Sequence, residues 1–145
     1  MKIAVDFDGT IVEARYPEIG EEKLFAFRTL KELQKKGHQL ILWTSRTGKE
    51  LEEAVEFCRQ NGLEFYAVNK NYPEEPFDET LVSRKIVTDL YIDDRLVGGF
   101  PGWGEIFQAI HPEEGAVHQQ QYQRAARSPR AWWRAFKNIL RSPYE

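Results

Sequence analysis

Two aspartates near the start of the chain have the residue type and spacing that most directly suggest chemistry. Asp6 and Asp8 follow a short apolar run, in the segment Asp6-Phe7-Asp8-Gly9-Thr10. Alternate side chains of an extended segment lie on the same side, so both carboxylates face one region. Two nearby negative charges repel each other unless a cation neutralises them, and Gly9 permits a tight turn behind the pair. The motif favours a cation-binding carboxylate pair over two solvated aspartates at a strand end.

Length and charge restrict the class of protein. A chain of 145 residues corresponds to about one domain that buries roughly two thirds of its unfolded surface. Residues 1–115 hold 14 Lys/Arg and 22 Asp/Glu, a net charge of −8, whereas residues 116–145 hold 6 and 1, a net charge of +5. Because the body is acidic, we do not expect a nucleic-acid partner.

The cysteine and hydrophobic content bear on where the protein resides. Cys58 is the single cysteine, so no intrachain disulfide forms, and its place in a helical pattern predicts a small core residue. No signal peptide follows Met1, and no segment has the ~20 apolar residues of a membrane span. We therefore expect a soluble cytoplasmic protein.

The hydrophobic pattern alternates between strand and helix along most of the chain. Strands are predicted over residues 2–7, 39–44, 64–68 and 86–92, the last interrupted near Asp89, and helices over 21–36, 49–61 and 103–110. This alternation implies right-handed crossovers and an α/β fold in which a mostly parallel sheet has helices on both faces.

Each predicted strand ends in polar side chains. These are Asp6 and Asp8 at the end of the first strand, Thr44-Ser45-Arg46 at the end of the second, Asn69-Lys70 at the end of the third and Asp93-Asp94 at the end of the fourth. Ligands of open parallel sheets bind outside the carboxyl ends of the strands. The four runs are therefore predicted to converge on one site at that edge.

These motifs, in this order, resemble the haloacid dehalogenase-like (HAD) phosphohydrolase superfamily over residues 2 to about 110. In that superfamily the first strand ends in Asp-x-Asp-x-Thr and the second in Thr or Ser, a Lys precedes the fourth strand, and acidic residues follow it. The resemblance implies a three-layer, Rossmann-like core. It also implies a phosphatase that hydrolyses phosphate monoesters with Mg²⁺ through an aspartyl-phosphate intermediate.

The resemblance assigns different tasks to the acidic residues. Asp6 would be the nucleophile, and Asp8 would protonate the leaving oxygen and then activate water. The Asp6 carboxylate, the Asp8 carbonyl oxygen and the Asp93-Asp94 pair would hold Mg²⁺. Asp93 is preferred as the direct ligand, and Asp94 is the alternative.

The phosphate-binding set implied by the resemblance is Gly9, Thr44, Ser45 and Lys85. Thr44 would donate its hydroxyl to a phosphoryl oxygen, and Lys85 would neutralise the aspartate–phosphate assembly. Lys70, at the end of the third strand, competes with Lys85 for this task.

Several other basic residues follow strand ends and are candidates for substrate recognition. Arg46 is the best placed, two residues beyond Thr44, and Lys70, Arg15 and Arg95 are further candidates. Each of these residues, taken alone, is more often a surface charge.

The chain has no room for a cap domain. About a dozen residues separate Thr10 from the first predicted helix, and the polar loop over 69–83 is about fifteen residues long, too short in either case to fold separately. We therefore expect a capless enzyme with an open site, acting on a sugar phosphate or a similar small phosphometabolite. The alternatives are a phosphatase of a phosphoprotein or nucleic-acid end, and a non-catalytic binding or assembly module.

The basic C-terminal region predicts a separate element. A catalytic core over residues 1–112 would be followed by a helical extension over 113–145, with a helix starting at Ser128-Pro129. Its apolar stripe is Trp132, Trp133, Phe136, Ile139 and Leu140. This stripe packs on the core, forms the interface of a homo-oligomer, or lies on an anionic membrane surface.

Overall fold

The computed structural model describes residues 1–76, 78 and 83–114. The strands are β1 (Lys2–Val5), β2 (Gln39–Leu42), β3 (Ala67–Val68) and β4 (Leu90–Ile92), and the helices are α1 (Ala26–Lys35), α2 (Gly48–Gln60) and α3 (Trp103–Ile110). All three strand pairings are parallel. The predicted α/β fold with a mostly parallel sheet is confirmed.

The strand order places the ends of β1 and β4 side by side. The sheet runs β3-β2-β1-β4, so the chain steps from β1 to β2 and β3 on one side and then crosses to the other side of β1. In the register, Val5 lies opposite both Leu42 and Ile92. Such a reversal of direction opens a crevice at the carboxyl edge of a sheet, where ligands bind. The residues after Val5 and Ile92 border this crevice.

The central strands form the core because they are apolar on both faces, as parallel strands covered on both sides must be. The fully buried positions of β1 and β2 are Ile3, Ala4, Val5, Leu40, Ile41 and Leu42. On one face, Ala4, Ile41 and Ala67 pack with Ile86. The ring of Phe57 in α2 lies 6.3 Å from that of Phe7 and 5.7 Å from that of Phe27 in α1, which joins the two helices.

Helix α1 begins later than its sequence pattern predicts. Glu22 first pairs with Val12 as an isolated bridge, and Phe25 then adopts a left-handed conformation with φ of 67°. The Glu22 carboxylate accepts a hydrogen bond from the Phe27 backbone N–H at 3.2 Å, which satisfies a donor of the first helical turn. Leu24, which falls within the predicted helix span 21–36, is consequently outside the helix and 49% exposed.

Strand β4 is shorter than the predicted span 86–92. Asp89 marks the predicted interruption, where its side chain accepts a hydrogen bond from the Lys2 backbone N–H at 2.7 Å and its own N–H donates to the Lys2 carbonyl at 3.0 Å. The carboxylate thus takes the place of a backbone carbonyl, and regular pairing starts only at Leu90.

The chain divides into two compact units, residues 1–103 and 104–145. The first contains the sheet, α1 and α2. Of the second, residues 104–114 are described, and they comprise most of α3 and the turn that follows it. The helix predicted from Ser128 and its apolar stripe lie outside the described residues. Within the described part, no helix combines the length and the apolar character that crossing a membrane requires.

The buried cysteine gives a direct test of the core. Cys58 is fully buried, and burial raises the pKa of its thiol to about 12. Because the thiolate is the reactive form, we expect no labelling of native protein by iodoacetamide at pH 8 and rapid labelling in denaturant. The protein has a single cysteine, so intact mass reports this site alone. Rapid labelling of the native protein would contradict the described packing around α2.

Candidate functional site

A tight turn after β1 presents the first acidic motif at the edge of the sheet. The Asp6 N–H donates to the Ile92 carbonyl at 2.9 Å and so extends the pairing of β1 with β4 by one residue. The chain then turns, with the Gly9 N–H donating to the Val12 carbonyl at 2.8 Å. Both Asp6 and Asp8 consequently line a cavity at this edge.

Asp6, Asp93 and Asp94 form a cluster of carboxylates, each offering an oxygen within 4.8 Å of the others. The Thr10 hydroxyl donates to Asp6 Oδ2 at 3.1 Å, and the Arg95 N–H donates to Asp93 Oδ1 at 2.7 Å. Among the described residues, Asp94 Oδ1 is buried and accepts no hydrogen bond, and its ion-pair contact with Arg95 Nε is 3.8 Å long. The cluster is therefore short of positive charge.

The pKa of Asp6 reflects its burial close to two other carboxylates. Burial, assisted by the charges of Asp93 and Asp94, raises the pKa of Asp6 to about 6, although hydrogen bonds from Phe7 and Thr10 oppose the change. A cation among the three carboxylates would offset the repulsion and give Asp94 Oδ1 a partner. Carboxylate oxygens are the ligands that Mg²⁺ prefers, so these residues fit a divalent magnesium site.

Asp8 has an entirely different neighbour, the side chain of Arg46. Arg46 Nε and Nη2 donate to the two carboxylate oxygens of Asp8, both at 2.7 Å. The Arg46 side chain is fully buried, whereas Asp8 keeps 20% of its side chain exposed. The hydrogen bonds and charge of Asp8 raise the pKa of Arg46. This is a bidentate, charge-assisted pair in which the guanidinium is buried and the carboxylate still borders the cavity.

The remaining contacts of Arg46 are made with the protein itself. Its Nη1 donates to the Pro17 carbonyl at 2.8 Å and its Nη2 to the Glu18 carbonyl at 2.7 Å. The guanidinium lies 5.1 Å from the Phe7 ring centroid and 5.3 Å from that of Tyr16. The structure thus gives Arg46 internal partners in place of the predicted substrate contact.

The loop after β2 brings Thr44 to the same edge. The Thr44 N–H donates to Asn69 Oδ1 at 2.8 Å, and the Thr44 hydroxyl oxygen accepts from the Arg46 N–H at 3.2 Å. Since this oxygen acts as an acceptor within the loop, its hydrogen can be donated to a ligand. Ser45 is the exposed neighbour of Thr44 at the cavity wall.

The cavity at the carboxyl edge has a volume of about 590 Å³. Its lining residues are Asp6, Asp8, Trp43, Thr44, Ser45, Arg84, Asp93, Asp94 and Arg95. The structure therefore brings together the acidic residues, Thr44 and Ser45 that the sequence singles out. The sequence patterns did not identify Trp43 and Arg84 as residues of this cavity. Their only indication in the sequence is that Trp43 precedes Thr44 and Arg84 precedes Lys85.

The predicted lysines and Arg15 do not line this cavity. The Lys85 ammonium lies 5.7 Å from the Tyr91 ring centroid. Lys70 lines an adjoining cavity of about 310 Å³, which shares Trp43, Thr44, Ser45 and Arg84 with the first. Arg15 is exposed and lines neither cavity. Of the residues that the structure describes, Arg84 and Arg95 contribute positive side chains to the first cavity.

Gly9 supports the acidic cluster by lacking a side chain. Its φ is +87°, and a Cβ there would lie 2.0 Å from Asp94 Oδ2. Gly37 is a matched control, with φ of +83° and no atom within 4 Å of its Cβ position.

The substitution Gly37→Ala should lower the free energy of unfolding by about 1–2 kcal/mol, because of its backbone conformation alone. Gly9→Ala should cost about 1–3 kcal/mol more because Asp94 must shift. Urea unfolding measures both, and equal losses would contradict the close approach of Gly9 to Asp94.

A comparison with solved structures identifies a relative of this chain. No family model matches the chain, and no curated protein matches it. Among solved structures, it is similar to a conserved protein from Bacteroides thetaiotaomicron, with 60% sequence identity and a TM-score of 0.73. The match covers 78% of this chain and 91% of that one. At this identity and coverage, the chain belongs to the same family as the conserved Bacteroides thetaiotaomicron protein.

Proposed function

We propose that this protein is a Mg²⁺-dependent phosphatase of the HAD superfamily, which hydrolyses phosphate monoesters through an aspartyl-phosphate on Asp6. The observation that carries the proposal is the cavity of about 590 Å³ in which Asp6, Asp8, Thr44 and the Asp93-Asp94 pair meet. The order of these residues along the chain and the parallel sheet that gathers them both match what that superfamily requires.

The chemistry divides into two displacements at phosphorus. A carboxylate oxygen of Asp6 attacks the phosphorus atom, the bond from phosphorus to the ester oxygen breaks, and Asp8 supplies the proton to the departing alcohol. Water then attacks the same phosphorus atom and passes a proton to Asp8, and the Asp6 carboxylate leaves. The products are the alcohol and inorganic phosphate.

The remaining groups would bind the phosphate and offset the negative charges that meet in the site. Asp6, Asp93 or Asp94, and the Asp8 carbonyl would hold Mg²⁺, which when bound screens the negative charges of carboxylate and phosphate from each other. Thr44 would donate its hydroxyl to a phosphoryl oxygen. Lys85 and Lys70 stay candidates for neutralising the phosphate.

The adjoining cavity supports a small substrate. This cavity has a volume of about 310 Å³. It shares four wall residues with the first cavity, namely Trp43, Thr44, Ser45 and Arg84. Asn69 and Lys70 add polar groups to its wall. A leaving group the size of a monosaccharide fits such a volume, so a sugar phosphate or similar phosphometabolite is the proposed substrate class. The alternatives are a macromolecular phosphate as substrate and a non-catalytic role, and the first experiment below reveals the second of these.

Asp6→Asn should abolish hydrolysis of 4-nitrophenyl phosphate and leave the fold intact, because the amide cannot act as the nucleophile. Asp89→Asn is the matched control, since Asp89 is an exposed carboxylate at the other end of β4 whose contact is with Lys2. EDTA should remove the activity and Mg²⁺ should restore it. Wild-type rates in Asp6→Asn would refute the nucleophile, and an EDTA-resistant rate would refute the metal. An inactive wild-type protein that binds phosphate esters would indicate a non-catalytic module.

Lys70→Met tests the role of the adjoining cavity. The variant keeps the apolar stem but loses the charge, so KM for a hexose phosphate should rise about tenfold, as expected for one charged hydrogen bond. KM for 4-nitrophenyl phosphate should change little. Lys49→Met, on the exposed surface of α2, is the control. An equal rise of KM for both substrates would show instead that Lys70 binds the phosphate, which the two substrates share, and would contradict its contact with the leaving group.

A further inference from the structure

Arg46 occupies a site built for a guanidinium. Four hydrogen bonds of 2.7–2.8 Å use its Nε, Nη1 and Nη2 groups, and its side chain has no exposed surface. Buried arginines are rare because desolvation of the charge is costly unless its donors are satisfied. Arg59 offers a contrast. Its Nε and Nη2 also donate to the two oxygens of one carboxylate, that of Glu56, both at 2.8 Å, but this bidentate pair, or fork, lies on the exposed surface of α2.

The guanidinium joins three separate segments at Asp8. It comes from the loop after β2, binds the carboxylate in the turn after β1, and binds the carbonyls of Pro17 and Glu18 in the following loop. The rings of Phe7 and Tyr16 also contact it. Both oxygens of Asp8 are thereby fixed, yet each keeps a lone pair, and Asp8 still lines the cavity.

The two aspartates of the motif therefore have opposite surroundings. Asp6 faces Asp93 and Asp94, whereas Asp8 is held by a cation. The two hydrogen bonds from Arg46 fix the position of both Asp8 oxygens, and a fixed position is what a group that takes a proton from an attacking water requires.

We infer that Arg46 is a positioning residue for the second displacement, in which it holds the Asp8 carboxylate where water attacks the aspartyl-phosphate. The inference rests on the proposed function. In this step the oxygen of water bonds to phosphorus, the bond from phosphorus to Asp6 breaks, and the water proton moves to Asp8. Arg46 touches neither water nor phosphate and acts through Asp8 alone.

This assignment separates two kinetic constants. With 4-nitrophenyl phosphate the leaving group departs without a proton, so formation of the aspartyl-phosphate does not need Asp8. The kcat/KM reports steps up to that irreversible departure, and kcat includes the hydrolysis that follows. A loss of Asp8 positioning should therefore lower kcat and spare kcat/KM.

The test is Arg46→Lys in the full-length protein with Mg²⁺, measured by steady-state and rapid-mixing kinetics on 4-nitrophenyl phosphate. Lysine keeps the charge but cannot form the fork. We expect kcat to fall by about 10–100-fold, as for a displacement of ~1 Å at a reacting group. Because the intermediate then accumulates, a burst of nitrophenolate should approach the enzyme concentration, while kcat/KM stays within about threefold. Arg59→Lys should leave both constants unchanged.

Several outcomes would overturn the inference. They are a parallel fall of kcat and kcat/KM without a burst, an unchanged kcat, and a further loss of kcat when Arg46→Lys is added to Asp8→Asn.

If Arg46→Lys does not fold, Tyr16→Leu removes one ring contact from the guanidinium at a position 64% exposed. It should show the same selective loss of kcat at about 2–5-fold, and losses in both constants or in neither would overturn the inference. A wild-type protein without phosphatase activity refutes the proposed function and this inference with it, whereas an active wild type with parallel losses in the variant refutes the inference alone.

Discussion

Repulsion among three carboxylates is the constraint on which the rest of this site depends. Parallel pairing of β1 with β4 places Asp6 beside Asp93 and Asp94, with oxygens within 4.8 Å of one another. Burial raises the pKa of Asp6, and the charges of Asp93 and Asp94 raise it further. Among the described residues, a buried oxygen of Asp94 has no hydrogen-bond partner. A bound cation would offset this repulsion. The position of Asp94 also requires a glycine at position 9, since a Cβ there would lie 2.0 Å from Asp94 Oδ2.

The second constraint is the separation of the two aspartates that share one motif. Asp8 lies only two residues from Asp6, but it has a buried arginine as its partner in place of further acids. Catalytic pairs of carboxylates commonly depend on unequal surroundings, because one group must attack while the other moves protons. In this protein the loop after β2 makes the surroundings of Asp6 and Asp8 unequal. This loop therefore takes part in the proposed reaction through Arg46 as well as through Thr44.

Sequence patterns predicted the arrangement of the elements and the edge at which the acidic residues meet, because apolar periodicity and strand ends are local features. Helix α3 matches its predicted bounds. The strand order was not predicted, because the fixed hand of the crossovers sets the face on which a helix packs and leaves open which side of β1 the fourth strand joins. The late start of α1 was not predictable, since it depends on the pairing of Glu22 with Val12. The Arg46–Asp8 pair was also missed, because it joins residues 38 positions apart and a charged residue in a loop gives no sign of burial.

The central claim is that Asp6 carries the phosphoryl group during turnover. The most direct measurement is mass spectrometry of protein quenched in acid within a single turnover and digested with trypsin. Cleavage after Lys2 and Arg15 isolates the peptide over residues 3–15, which contains both Asp6 and Asp8. The account predicts a transient, Mg²⁺-dependent phosphoryl group on Asp6 that hydroxylamine removes. Release of phosphate with no phosphorylated peptide at any time, or with the phosphoryl group on another residue, would contradict it.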